Sequence, residues 1–157
     1  MPVINHDDDD RPRKRIELKF EWLNGPFAVV KLPADAPIPD WALAGVFTSV
    51  TRTSDELSIV CSADNLPLNV NSESHWICLK LQGPFAFSQV GILAAFIDPL
   101  AQSGVPIFAI STYDTDYVLV QEEFWGMAAG ALQEAGHQLL GDDEAWRKLI
   151  EEKGHRL

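Results

Sequence analysis

Phe47-Thr-Ser-Val-Thr-Arg-Thr-Ser-Asp-Glu-Leu-Ser-Ile-Val60 and Ile107-Phe-Ala-Ile-Ser-Thr-Tyr-Asp-Thr-Asp-Tyr-Val-Leu-Val120 are two versions of one pattern. Each is a β-rich run, a turn of hydroxylated and acidic residues, and a β-rich return. They overlie at an offset of 60, whereas Val29-Val-Lys-Leu32 overlies Cys78-Leu-Lys-Leu81 at an offset of 49. The first copy is therefore 11 residues shorter between these blocks, about what one helix needs.

Working outward, the second copy reads as a complete βαββαβ series. Trp76 to Leu81 is a strand, turned by Gly83-Pro84. Ser88 is expected to cap a helix running to about Ser103, with Pro99 as a kink or an early stop. The hairpin follows, with its tight turn from Tyr113 to Asp116. Glu122 to Ala135 is a helix with Phe124, Ala128, Ala131 and Ala135 on one face, and His137 to Leu140 closes the series. This order places both helices on one face of an antiparallel sheet, a ferredoxin-like arrangement of class α+β.

The first copy lacks the helices. Residues 33–39 hold three prolines and read as an extended loop. Before it, Ile16, Leu18 and Phe20 alternate with charged residues as a half-buried strand, and Asn24-Gly25-Pro26 is expected to end that strand as a turn. The expected organisation is an acidic tail over residues 1–13 and a degenerate first unit over 14–72. A complete second unit follows over 73–141, and an appended helix over 142–157.

Composition bounds the function. The chain has 157 residues, 46% of them hydrophobic and 22% charged, enough apolar material for one substantial core. Its formal charge of −11 repels phosphate backbones, so nucleic acid is not an expected partner. No apolar run reaches the length of a membrane span, and the start resembles no secretory signal. Cys61 and Cys78 read as reduced core thiols, which suits a cytoplasmic protein. His6, His75, His137 and His155 are too scattered for a metal site, and no phosphate loop or nucleophile elbow occurs. No cofactor, metal or catalytic residue is expected.

Ser88-Gln-Val-Gly-Ile-Leu-Ala94 resembles the strand-to-helix signature of ACT domains, Asp-x-x-Gly-x-Leu, with Ser88 in place of the acid. The stretch from Gly104 to Val120 resembles the second unit of small tandem ACT proteins, and Phe47 to Val60 their first unit. These are similar in turn to the ACT units of aspartate kinases and of the animal cytosolic arginine sensors. The resemblance implies a non-catalytic regulatory module, a dimer, that binds an amino acid or related metabolite at a seam between ACT units.

The residues themselves suggest how. Gly91 lets a ligand approach the backbone, and the free N–H groups of its helix turn, with Ser88 beside them, suit a carboxylate. Asp116 and Asp114 suit an ammonium or guanidinium, and Tyr113 can stack on a flat cation. Gln89 and Ile92 complete the expected set of Ser88, Gln89, Gly91, Ile92, Tyr113, Asp114 and Asp116. The plain structural alternative is that Ser88 caps the helix, Gly91 eases packing and the two Asp form the turn. Two rival functions stand beside the sensor. One is a ligand-free protein-interaction module. The other is a small ferredoxin-like enzyme, for which no convergent acid or base is evident.

Overall fold

Asn24-Gly25-Pro26 does not end a strand. In the computed structural model, which describes residues 15–86 and 88–141, Lys19–Leu32 is one strand, β1. Leu23 lies opposite Cys78 and Phe27 opposite Trp76, so three residues of β1 face one of its neighbour as a bulge. The turn expectation fails because the same neighbour pairs on both sides of the break. The acidic tail, Phe87 and the C-terminal helix expected over 142–157 lie outside the described residues.

The remaining strands are β2 (Ser49–Arg52), β3 (Leu57–Ser62), β4 (Glu73–Leu81), β5 (Ile107–Ser111), β6 (Asp116–Gln121) and β7 (Gln138–Leu140). The helices are α1 (Ile92–Gln102) and α2 (Trp125–Glu134). All strands join one sheet of order β2-β3-β1-β4-β6-β5, with β7 on β1. The fold is α+β as expected, and every strand pairing is antiparallel except that of β7. The two ferredoxin-like units are fused at β1 and β4, which pair along most of their lengths. β7 runs parallel to the start of β1, Lys19 opposite Gln138. The second unit's closing strand thus lies on β1 of the first, not on β4.

Strand pairing also corrects the repeat. Arg52 faces Leu57 as Ser111 faces Asp116, so the hairpins superpose at an offset of 59. The first unit is ten residues shorter, not 11. A one-residue slip matters because it exchanges the two faces of a strand. At the corrected offset Thr53 corresponds to Thr112, and the 3-10 turn Ala63–Asn65 corresponds to Glu122–Phe124.

Alternation sorts the core into two faces. Ile77, Leu79, Leu81, Val118 and Val120 pack with Phe96, Leu100, Trp125 and Leu132 of the helices. In the first unit the same face, with Val30, Leu57, Ile59 and Cys61, is covered by Ala36, Trp41, Ala42, Leu66 and Val70 from loops. The opposite face buries Phe27, Phe47, Val60, Trp76, Cys78 and Leu119. Phe47, just before β2, stacks 4.5 Å from Tyr117 of β6. In a flat sheet those strands would stand about 19 Å apart, four spacings. The sheet therefore curls, and its concave face is filled by its own side chains. Burial pushes the Cys78 thiol up to about 12 and raises that of Cys61.

Pro99 sits inside α1, which ends three residues later without breaking at it. In α2 the buried stripe is Trp125, Ala128, Ala129 and Leu132. It is rotated one residue from the expected stripe because the chain enters through a 3-10 turn at Glu122–Phe124.

Candidate functional site

The hairpin between β5 and β6 is closed by threonines. Thr112 N–H donates to the carbonyl of Thr115 at 2.9 Å, and Thr112 Oγ1 donates to the same oxygen at 2.9 Å. Thr115 is 6% exposed, and its hydroxyl donates to the Leu81 carbonyl at 2.7 Å. That bond pins the turn to the end of β4. Phe85 N–H then donates to the Asp114 carbonyl at 2.9 Å, so the loop after β4 is tied to the hairpin tip. Gly83 is required there, since a Cβ would lie 2.8 Å from the Asp114 carbonyl oxygen.

The tied loop leads to α1. Gln89 folds back, its Oε1 accepting from Ala86 N–H at 2.7 Å and its own N–H donating to the Ala86 carbonyl at 2.9 Å. The residue that caps α1 is Gly91, at φ +77°, and no side chain caps the helix. Ser88 is therefore not the cap: the helix starts three residues later than expected, and Ser88 is exposed in the loop. Gly91 is needed for its left-handed backbone, which Cβ-bearing residues adopt at a cost of about 1–2 kcal/mol. Space is not the constraint, because a Cβ there would meet only Ile16 at 3.8 Å.

Between the loop, the first turn of α1 and the hairpin lies an open cleft of about 380 Å³. Of the residues singled out from sequence, Gln89, Gly91, Ile92, Tyr113, Asp114 and Asp116 line it, and Ser88 does not. Sequence reasoning missed Thr112 and Thr115, which build its floor. Their signal was the Thr-x-x-Thr spacing across the turn, a pattern in which hydroxyls hydrogen-bond locally. It also missed Phe85, Ser111 and the first-turn residues Leu93 and Ala94.

The cleft has two electrical ends. The first backbone N–H groups of α1 have no carbonyl four residues back, and with no side-chain cap they carry the positive end of the helix dipole. Two carboxylates, those of Asp114 and Asp116, line the same cleft. Asp116 accepts a hydrogen bond from Ser111 Oγ. Among the described residues no hydrogen bond or ion pair engages the Asp114 carboxylate. Tyr113, 79% exposed, stands at the rim. Among the described residues no group of three His, Cys, Asp or Glu is placed to hold a metal, and no helix is long and apolar enough to cross a membrane.

Comparisons agree with this architecture. A family model described as an ACT domain matches residues 71–134, and one described as an N-terminal domain matches residues 25–69. The solved structure of protein Atu0741 from Agobacterium tumefaciens is 45% identical, with a TM-score of 0.76, covering 80% of this chain and 93% of that one. Protein VC0802 from Vibrio cholerae, described as of unknown function and possibly a transport protein, is 23% identical, with a TM-score of 0.62, covering 76% and 91%. The aspartate kinase of Clostridium acetobutylicum, described as an allosteric enzyme, is 13% identical with a TM-score of 0.53 over 71% of this chain and 33% of that one. The last two show the fold alone. A sheet built from a fused pair of units, an ACT-domain match on the second and a 45% identical relative spanned almost end to end lead to one conclusion: the chain belongs to the ACT-domain family.

Proposed function

We propose that this chain is a non-catalytic regulatory module that holds a small amino acid, or a metabolite of the same zwitterionic kind, in the cleft beside α1. ACT domains as a class are regulatory modules for small ligands, which supports the reading. One observation carries it: a helix N-terminus without a side-chain cap and two carboxylates line the same cleft. A ligand carboxylate suits the first and its ammonium the second. The net charge of −11 adds a long-range preference for cationic side chains. Gln89, Gly91 and Ile92 form the wall, Tyr113 the rim, and Asp114 and Asp116 the acidic end, with Ser88 at the approach.

The organisation we propose with it is an acidic tail over 1–13, a first unit over 14–72, a second over 73–141 and an appended segment over 142–157. A second copy of the chain would cover the outer strands β2 and β5, each paired on one side among the described residues. The two free buried cysteines accord with a cytoplasmic setting.

The test is a thermal-shift screen against the common amino acids at millimolar concentration. A ligand at about a hundred times its dissociation constant adds about 2.7 kcal/mol, a visible rise in midpoint. A hit that is lost in Asp116→Ala establishes the cleft as the site. A second reading, a ligand-free interaction module, draws support from Leu43, Val46 and Leu68, large apolar residues exposed on the first unit. If no amino acid raises the midpoint, that reading replaces the first.

A further inference from the structure

Pro99 leaves a gap in α1. It has no N–H, so the carbonyl four residues back, that of Ala95, loses its intrahelical donor. A half-buried carbonyl so orphaned needs another partner. His137 supplies it, with Nε2 2.8 Å from the Ala95 oxygen. The other ring nitrogen, Nδ1, lies 3.0 Å from the backbone N of Leu18. A backbone amide can only donate, so Nδ1 accepts, and the ring proton sits on Nε2 and donates to Ala95. One neutral tautomer satisfies both contacts. The ring is 6% exposed and packs on Phe96, with centroids 5.3 Å apart.

The three elements it joins meet nowhere else through a side-chain hydrogen bond among the described residues. Leu18 leads into β1, His137 leads into β7, and Ala95 follows Ala94, which lines the cleft. We propose that His137 is a positioning residue for the cleft: its neutral ring latches the first turn of α1 to the β1–β7 seam, and protonation of the ring opens the latch.

The chemistry is one of counting donors. A second ring proton sits on Nδ1 and faces the Leu18 N–H, donor against donor. The imidazolium keeps Ala95 and must let Leu18 go. Imidazole is the side chain that changes charge in the mildly acidic range. The charged groups around it are few. Before β1, Arg15 donates from Nε to the Ala135 carbonyl at 2.9 Å and from its other end to the Glu134 carbonyl. Glu17 rests against Gly136, where a Cβ would come 2.8 Å from its Oε1. Glu134 at the end of α2, Lys19 and Glu21 on β1 and Asp98, the one charged residue of α1, are exposed. β7 carries no charge. The first turn of α1 then keeps its tie to His137 but loses the one that runs through the ring to β1, so a ligand held there is expected to be retained less well in acid. That consequence rests on the cleft reading above; the latch itself does not.

The experiment uses the full chain without ligand, so failure of the latch and failure of the cleft reading are separate results. Imidazole nitrogen spectra at about pH 7.5 are expected to place the His137 proton on Nε2. Acidification to about pH 5.5 is expected to lower the hydrogen-exchange protection of the Leu18 amide about tenfold. In His137→Phe, protection of Leu18 and of the first turns of α1 is low at both values. Pro99→Ala returns a donor to the Ala95 carbonyl, so His137→Phe then loosens α1 less than it does beside Pro99, a non-additive pair. A proton on Nδ1, Leu18 protection unchanged by acid, or strictly additive effects of the two substitutions would each overturn the proposal. The first two measurements need no variant to fold.

Discussion

In the first unit, the loop after the strand is held by an arginine: Arg52 donates to the carbonyls of Ala34 and Ala36, the latter at 2.7 Å. In the second unit the corresponding positions are Ser111, Gly83 and Phe85. There the loop is held by the backbone, Phe85 N–H to the Asp114 carbonyl, and Ser111 reaches no further than Asp116. A long side chain spans the space in one unit. A short one in the other, with a helix where the first unit has prolines, leaves it as a cleft. The repeat thus keeps the frame of a site without keeping the site. Both hairpins close on a threonine, Thr53 or Thr112, whose Oγ1 bonds within the turn. Only the second hairpin faces a helix N-terminus.

The largest expected effect tests whether the two units are energetically one body. Phe96→Ala empties a fully buried position in the second unit and should cost about 3–5 kcal/mol. Because β1 and β4 are shared, tryptophan fluorescence and far-ultraviolet circular dichroism should still report one coincident denaturant transition. Two separated transitions would mean that the units unfold independently.

Next in size is the glycine that the first unit does without. Gly83→Ala forces a Cβ against the backbone oxygen of Asp114 and should cost about 1–3 kcal/mol by chemical denaturation. The corresponding residue of the first unit is already Ala34. A Gly83→Ala protein as stable as the parent would show that the loop ties of the two units are alike after all.

Arg52→Ala removes exposed hydrogen bonds and should cost no more than about 1 kcal/mol. Its sharper readout is local. Proteolysis within residues 33–39 should quicken, while the second unit's hairpin keeps its protection.

The smallest effect at neutral pH concerns the thiols, which lie on opposite faces of the sheet. Both folded values are raised by burial, that of Cys78 to about 12, so neither thiol should react with a thiol reagent near pH 8 until the protein unfolds. The sign for stability follows. The unfolded thiols ionise first, so their contribution is complete below about pH 8.5 and is lost as the pH climbs toward 12. Rapid labelling of the native protein would mean that one face opens.

Much of the frame was legible in the chain. The repeat, the missing helix of the first unit, the order of the second and six of the thirteen residues that line the cleft follow from local pattern. Periodicity, turn chemistry and the Gly-x-Leu step into a helix are properties of neighbouring residues. What was not legible depended on partners far away in sequence. Asn24-Gly25-Pro26 has the composition of a turn and became a bulge, because β4 pairs with β1 on both sides of it. The hairpin offset was read one residue too long, because both copies run on hydroxylated and β-branched residues whose order tolerates a slip. Hydrogen-bonded pairing does not. Ser88 had the chemistry of a cap, but the left-handed turn at Gly91 delays the helix and moves it out of the cleft. Pro99 was visible as a defect in a helix. That His137, 38 positions on, supplies the donor Pro99 withholds could be decided only by the packing of β7 beside β1, since a hydrogen bond is set by distance in space and not along the chain.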